Sequence, residues 1–301
     1  MKKNGVVFAL GAYIMWGLFP IYWKWLHQVS SLQVIGHRII WSFFLLFGFL
    51  LATRQFKSFR QAASRPRVLW MYLITAVLIG VNWLVYVWAV NSNFIVEASL
   101  GYFINPLLSV LMGVLFLRER LRPFQWVPVA LATVGVIYLT VVYGRPPWIA
   151  LTLAFTFSTY GLVKKLAPLS PVYGLTLETG ILFIPALVYL VFANTTGTGA
   201  FLHSSPVIDL LLVGAGLITS VTLLMFASAA QSLPLSIIGI LEYLAPTLAF
   251  LLGVLVYREP FNHSQLIGFG VVWVALILFV VEGFWVRRAA SAAVIPDNID
   301  G

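Results

Sequence analysis

The chain repeats itself. GYFINPLLSVLMGVLFLRE (Gly101 to Glu119) returns as LEYLAPTLAFLLGVLVYRE (Leu241 to Glu259), 140 positions later. The register runs without a gap from about residue 80 to 141 and aligns Pro106 with Pro246, Gly113 with Gly253, and Arg118–Glu119 with Arg258–Glu259. Both copies are too apolar to cover a water-soluble fold. Hydrophobic residues make up 61% of the chain and charged residues 9%, where soluble domains carry about a quarter charged. A duplicated, membrane-embedded bundle is the body plan these facts imply, and it is the usual plan of a transporter.

Crossing the hydrocarbon takes about 20 apolar residues per helix. Ten such runs are read: 5–26, 32–52, 68–90, 95–117, 124–142, 148–163, 172–192, 208–230, 235–257 and 264–286, the sixth being short. The runs are continuous rather than alternating, so helices are expected and barrel strands are not. The predicted fold is an all-α polytopic membrane protein. Its ten transmembrane helices form two five-helix repeats, residues 1–143 and 144–288, followed by a polar tail, 289–301.

The net charge of +9 follows the loops. Placing the N-terminus inside puts fourteen of the eighteen Lys and Arg residues on the cytoplasmic side, and only Lys24, Arg38, Arg145 and Arg258 elsewhere. Both termini are therefore expected in the cytoplasm, and the basic residues act as topology signals rather than as a nucleic-acid surface. An odd number of spans per repeat inverts the second copy, so the two halves are expected to be related by an axis in the membrane plane. The basic 2–3 loop, Thr53 to Arg67, reads chiefly as an orientation signal, with contact to anionic headgroups as the alternative.

Catalytic chemistry finds little support. There is no cysteine, and His27, His37, His203 and His263 lack ligand spacing, so no metal or cofactor is expected. No Gly-x-Ser-x-Gly elbow and no phosphate-cradling glycine loop occur, so neither a serine hydrolase nor a direct ATPase is expected.

Charges within apolar runs are expensive and mark function by default. Three stand out: Arg38, Glu178 and Glu242. Arg38 and Glu178 occupy equivalent repeat positions, so they are candidates for a pair that forms in one state and parts in another; a permanent buried pair or a snorkelling Arg38 are the alternatives. Glu242 lies four residues before Pro246, which cannot donate to its carbonyl. A carboxylate beside a free carbonyl is a candidate proton or cation site. In the first copy Tyr102 precedes Pro106 by the same interval, and Tyr102, Asn105 and Ser109 follow at helical spacing as one polar stripe facing Glu242 and Tyr243. Asn82 and Tyr86 share a face of the third run and are further candidates for lining the cleft, whereas Trp16, Tyr22, Trp23 and Trp25 read as interfacial belt residues.

The duplicated block, with its proline, its Gly-Val-Leu and its Arg-Glu ending, resembles the EamA-type branch of the drug/metabolite transporter superfamily. GAYIMWGLFPIYWKWL, followed by IGHRIIWS, resembles the RarD-type permeases within that branch. The resemblance spans nearly the whole chain. It implies a permease of the bacterial inner membrane that exports a small organic solute. Where the first copy has Tyr102 the second has Glu242, so the halves are not equivalent. The substrate is expected near the midplane against Asn82, Tyr86, Tyr102, Asn105 and Tyr243. Arg38 would take an anionic part, and Glu242 (with Glu178 as a second candidate) a proton or cationic part. A proton-coupled carrier and an uncoupled facilitator both fit; a lipid-handling protein or scaffold would leave the cleft charges unexplained.

Overall fold

A computed structural model describes residues 3–91, 95–143 and 148–256, and parts of 263–282. Among the described residues the chain is all-helical. The long helices are α1 (Lys3–Trp25), α2 (Ser31–Ala52), α4 (Pro66–Asn91), α5 (Ile95–Leu117), α6 (Trp126–Tyr143), α7 (Trp148–Leu166), α8 (Pro171–Thr195) and α9 (Pro206–Ser232). A short α3 (Phe56–Ala63) follows α2, and the chain continues past α9 as α10 (Leu235–Glu242), α11 (Leu244–Leu251) and a π-helical turn, Leu252–Val256. Among the described residues, six helices are long and apolar enough to cross a membrane: those within α1, α2, α4, α6, α8 and α9. Helices Gly101–Leu117 and Leu235–Ala249 are apolar but shorter. The tenth expected run lies partly, and Arg145, Arg258, Glu259 and the tail 289–301 wholly, outside the described residues.

Local chemistry explains where the helices start. Ser170 and Ser205 each precede a proline, and each side chain accepts from a backbone N–H three residues on, Tyr173 and Ile208 respectively. Serine at the cap and proline in the first turn are the preferred opening, because proline lacks only a donor that would be orphaned anyway. Helices α2, α4 and α5 begin at Ser31, Pro66 and Ile95; α8, α9 and α10 begin at Pro171, Pro206 and Leu235, each 140 residues later.

The aligned prolines act differently. Pro106 sits inside an unbroken α5, whereas the second copy is interrupted at Tyr243 between α10 and α11. The break falls where Pro246 withholds its donor from the Glu242 carbonyl, and Tyr243 N turns back tightly to Ile240 O at 3.3 Å.

Packing is mostly between the two halves. Helix α2 runs antiparallel to α8, with Gly36 against Leu190 and Phe43 against Phe183, and parallel to α9, where Ser42 Oγ donates to Gly216 O at 2.9 Å. The approach is close. A Cβ on Gly216 would lie 2.4 Å from Trp41 Cβ, and one on Gly239 would lie 2.6 Å from the Pro106 carbonyl, so α2–α9 and α5–α10 both depend on glycine. The largest core gathers Tyr13, Ile79, Met112, Tyr160, Phe226 and Leu235 from α1, α4, α5, α7, α9 and α10. Outward-facing Trp70, Phe116, Val188 and Leu210 are exposed, as lipid-facing side chains should be.

The 2–3 segment is not a plain loop. Phe56 and Phe59 of α3 pack on Phe47 and Tyr173, while Lys57 and Arg60 point out, which makes α3 an amphipathic helix at one end of the bundle.

Candidate functional site

Glu242 ends α10 and is 6% exposed. Asn105 Nδ2 donates to its Oε1 at 2.8 Å, and Ser109 Oγ donates to its Oε2 at 3.3 Å. Behind them Ser158 of α7 donates to Asn105 Oδ1 at 2.5 Å and lies 3.3 Å from Ser109 Oγ. Three helices thus close a polar network inside an apolar bundle. Its partners reach the carboxylate as donors, which suits a carboxylate and not a metal ion. The stripe of Asn105 and Ser109 does meet Glu242. Ser158 was not legible, because nothing in the sequence of α7 distinguishes it from Ser and Thr residues that bond their own helix. Tyr243 turns away from the network, and its hydroxyl donates to Phe103 O at 3.3 Å.

One turn of α5 earlier, Tyr102 is 40% exposed and meets Tyr86 of α4 edge to face at 5.6 Å. Arg38 of α2 comes within electrostatic reach of both phenols. Its guanidinium carbon lies 4.7 Å from the Trp83 ring centroid and 5.0 Å from that of Trp23, and its Nε donates to Thr219 Oγ1 of α9 at 2.9 Å. Side chains of five helices (α1, α2, α4, α5 and α9) therefore gather around the Arg38 cation, with Tyr102 partly exposed beside it. Trp23, read from sequence as a belt residue, stands over Arg38 instead. Thr219 carried no signal of its role.

Asn82 does not join the cleft. Its amide donates to Leu153 O and Thr156 Oγ1 of α7, both at 2.9 Å, and so fastens α4 to α7.

Glu178 pairs with Lys164 rather than Arg38. Lys164 Nζ lies 3.1 and 3.2 Å from the two carboxylate oxygens, Tyr160 donates to Oε2 at 3.2 Å, and both charged side chains are almost fully buried. The ammonium also stands over the rings of Tyr72 and Tyr160.

The repeated Arg-Glu pair has a structural use in the first copy. Arg118 takes a left-handed φ of 53°, Glu119 N returns to Gly113 O, and the Glu119 carboxylate caps α10. It accepts from Leu235 N at 2.7 Å, from Ser236 N at 2.9 Å and from Ser236 Oγ at 2.7 Å. An anion there satisfies orphan donors and complements the helix dipole, so the loop after α5 is tied to the helix that carries Glu242. Lys165 joins the same junction by donating to Leu233 O.

Comparison with known proteins agrees with this architecture. The profile of the EamA-like transporter family matches residues 3–141 and 146–281. The uncharacterized transporter YojE of Bacillus subtilis is 45% identical over 96% of this chain and 98% of its own. Protein RarD of Streptomyces exfoliatus is 42% identical over 97% of this chain and 92% of its own. A solved crystal structure at 19% identity shares the fold with a TM-score of 0.70, covering 93% of this chain and 99% of that one. Two profile matches spanning nearly all the residues, and full-length relatives above 40% identity, place this chain in the EamA-like transporter family.

Proposed function

We propose that this protein is a secondary transporter that moves a small organic solute across the bacterial inner membrane by alternating access, with Glu242 as the proton-carrying group. The observation that carries the proposal is the network around that carboxylate. When Glu242 is ionised, Asn105 and Ser109 donate to it and Ser158 donates to Asn105. When it is protonated, its hydroxyl donates to Ser109 Oγ, and Ser109 turns to Ser158 Oγ, 3.3 Å away. Only one hydroxyl hydrogen has to turn. Both protonation states are therefore satisfied without moving a helix, which a buried carboxylate needs if it is to gain and lose a proton repeatedly.

Two inverted five-helix repeats are supported by the contact pattern. Exchanging the halves maps α1, α2, α4 and α5 onto α7, α8, α9 and α10–α11. Under this exchange the α2–α9 contact becomes α8–α4, α5–α7 becomes α10/α11–α1, and α4–α7 becomes α9–α1; all of these packings occur, and α2–α8 and α5–α10 map onto themselves. A bundle of this symmetry has a mirror conformation of similar energy, open to the other side. The distribution of Lys and Arg favours cytoplasmic termini, with α3 on the cytoplasmic surface.

The test is to load proteoliposomes from a bacterial metabolite extract and identify retained solutes by mass spectrometry. At least one solute should accumulate about tenfold over liposomes holding a folded Arg38→Ala/Tyr102→Ala/Glu242→Gln variant, the loss expected when charge-assisted contacts go. Equal retention of every solute by both proteins would sink the proposal.

A further inference from the structure

We infer that the cleft around Arg38 is built for an amphipathic organic monoanion: a carboxylate joined to a flat apolar group. This rests on the transport reading and names the class of solute which that reading leaves open.

Arg38 is the observation. Of its five N–H groups, Nε–H goes to Thr219 Oγ1, and the four on the terminal nitrogens have no hydrogen-bond or ion-pair partner among the described residues. Among the described side chains, the two acidic groups buried within the bundle are engaged elsewhere, and Glu97 of α5 lies outside them. Glu178 holds Lys164, and Glu242 accepts from Asn105 and Ser109. Trp23 and Trp83 attract the cation through their ring faces but accept no N–H bond in its plane. A half-buried guanidinium with its terminal fork free is an incomplete bidentate site, and a carboxylate is the planar group that completes it.

The surroundings narrow the class. Trp23, Trp83, Tyr86 and Tyr102 offer apolar and aromatic faces next to the fork, so the rest of the ligand gains by being apolar and flat. Among the described residues the cleft presents one cation, Arg38. Lys164 is paired, and Lys165 Nζ is spent on Leu233 O at the Glu119 junction, so a multiply charged anion would enter with charge left over. A primary ammonium ion would meet Arg38 with the same sign.

Equilibrium dialysis of radiolabelled phenylacetate against the purified full-length protein in neutral detergent micelles tests this. Competitors are unlabelled phenylacetate, phenylacetamide, phenethylammonium and acetate, and added phosphatidylglycerol. The expected result is saturable binding displaced by phenylacetate but not by its amide or by the amine, with acetate about tenfold weaker for want of the apolar group. Arg38→Gln should weaken binding about tenfold or more, and Arg38→Lys, which keeps the charge and loses the fork, should weaken it several-fold. Should Arg38→Gln fail to fold, Arg38→Lys carries the comparison.

Equal binding of acid and amide, wild-type affinity in both variants, or no binding would overturn the inference. So would displacement by phosphatidylglycerol at trace mole fraction, which would make a lipid headgroup the occupant. Binding in micelles needs no translocation. Phenylacetate bound through Arg38 but no solute retained in liposomes would refute transport and keep the ligand class. Liposomes that retain only neutral or cationic solutes, with no phenylacetate bound, would refute the class and keep transport.

Discussion

Lys164→Met destabilises the protein by about 3–5 kcal/mol in thermal or denaturant unfolding, the cost of stranding one partner of a buried ion pair. Glu178 would be left almost fully buried with only the Tyr160 hydroxyl donating to it. Glu178→Gln has a smaller but similar effect, because the ammonium keeps a polar neighbour and loses its counter-charge. The double variant Lys164→Met/Glu178→Leu regains most of the loss, since apolar residues of similar volume can replace a buried pair at little cost. These signs follow from geometry: Nζ sits within 3.2 Å of both oxygens and over the rings of Tyr72 and Tyr160. A single variant as stable as the wild type would show that water reaches the pair and that it is not part of the bundle's core.

Glu242→Gln folds normally and removes the response to a pH gradient. Glutamine reproduces the protonated network: its oxygen accepts from Asn105 Nδ2, and its amide donates to Ser109 Oγ. The variant is thus locked in one protonation state. In proteoliposomes, gradient-driven accumulation is expected to fall about tenfold or more if Glu242 is the proton-carrying group proposed above. Exchange without a gradient persists. Glu242→Ala differs, because it leaves the buried Asn105 amide without its acceptor at a cost of about 1–3 kcal/mol. Gradient-driven accumulation that survives in Glu242→Gln would assign coupling to another group and favour a facilitator at this site.

Which side chains become neighbours was legible in the sequence where a constraint had a period. Equal spacing of helix starts, 140 residues apart, follows from the duplication, and the meeting of Asn105, Ser109 and Glu242 follows from helical spacing around aligned prolines. Legibility stopped where the answer depends on rotation or on a distant helix. Lys164 and Lys165 look alike as a basic pair at a helix end, yet successive residues point about 100° apart; one enters the core and the other binds Leu233 O. Asn82 and Tyr86 share a helical face, but α7 takes the first and α5 the second, because both helices pack on that side of α4. Trp23 has belt chemistry and belt position, and only the fold reveals Arg38 beneath it. The Arg-Glu ending repeats plainly, but its use as a helix cap needs the N-terminus of α10 beside it.

Alternating access around the cleft can be tested directly, because the chain contains no cysteine. A single Tyr102→Cys variant would be treated with a membrane-impermeant maleimide in right-side-out and in inverted vesicles. Labelling from both faces of the membrane is expected if two inverted halves expose the same cleft in turn. Labelling from one face only, at every pH and with or without phenylacetate, would contradict it.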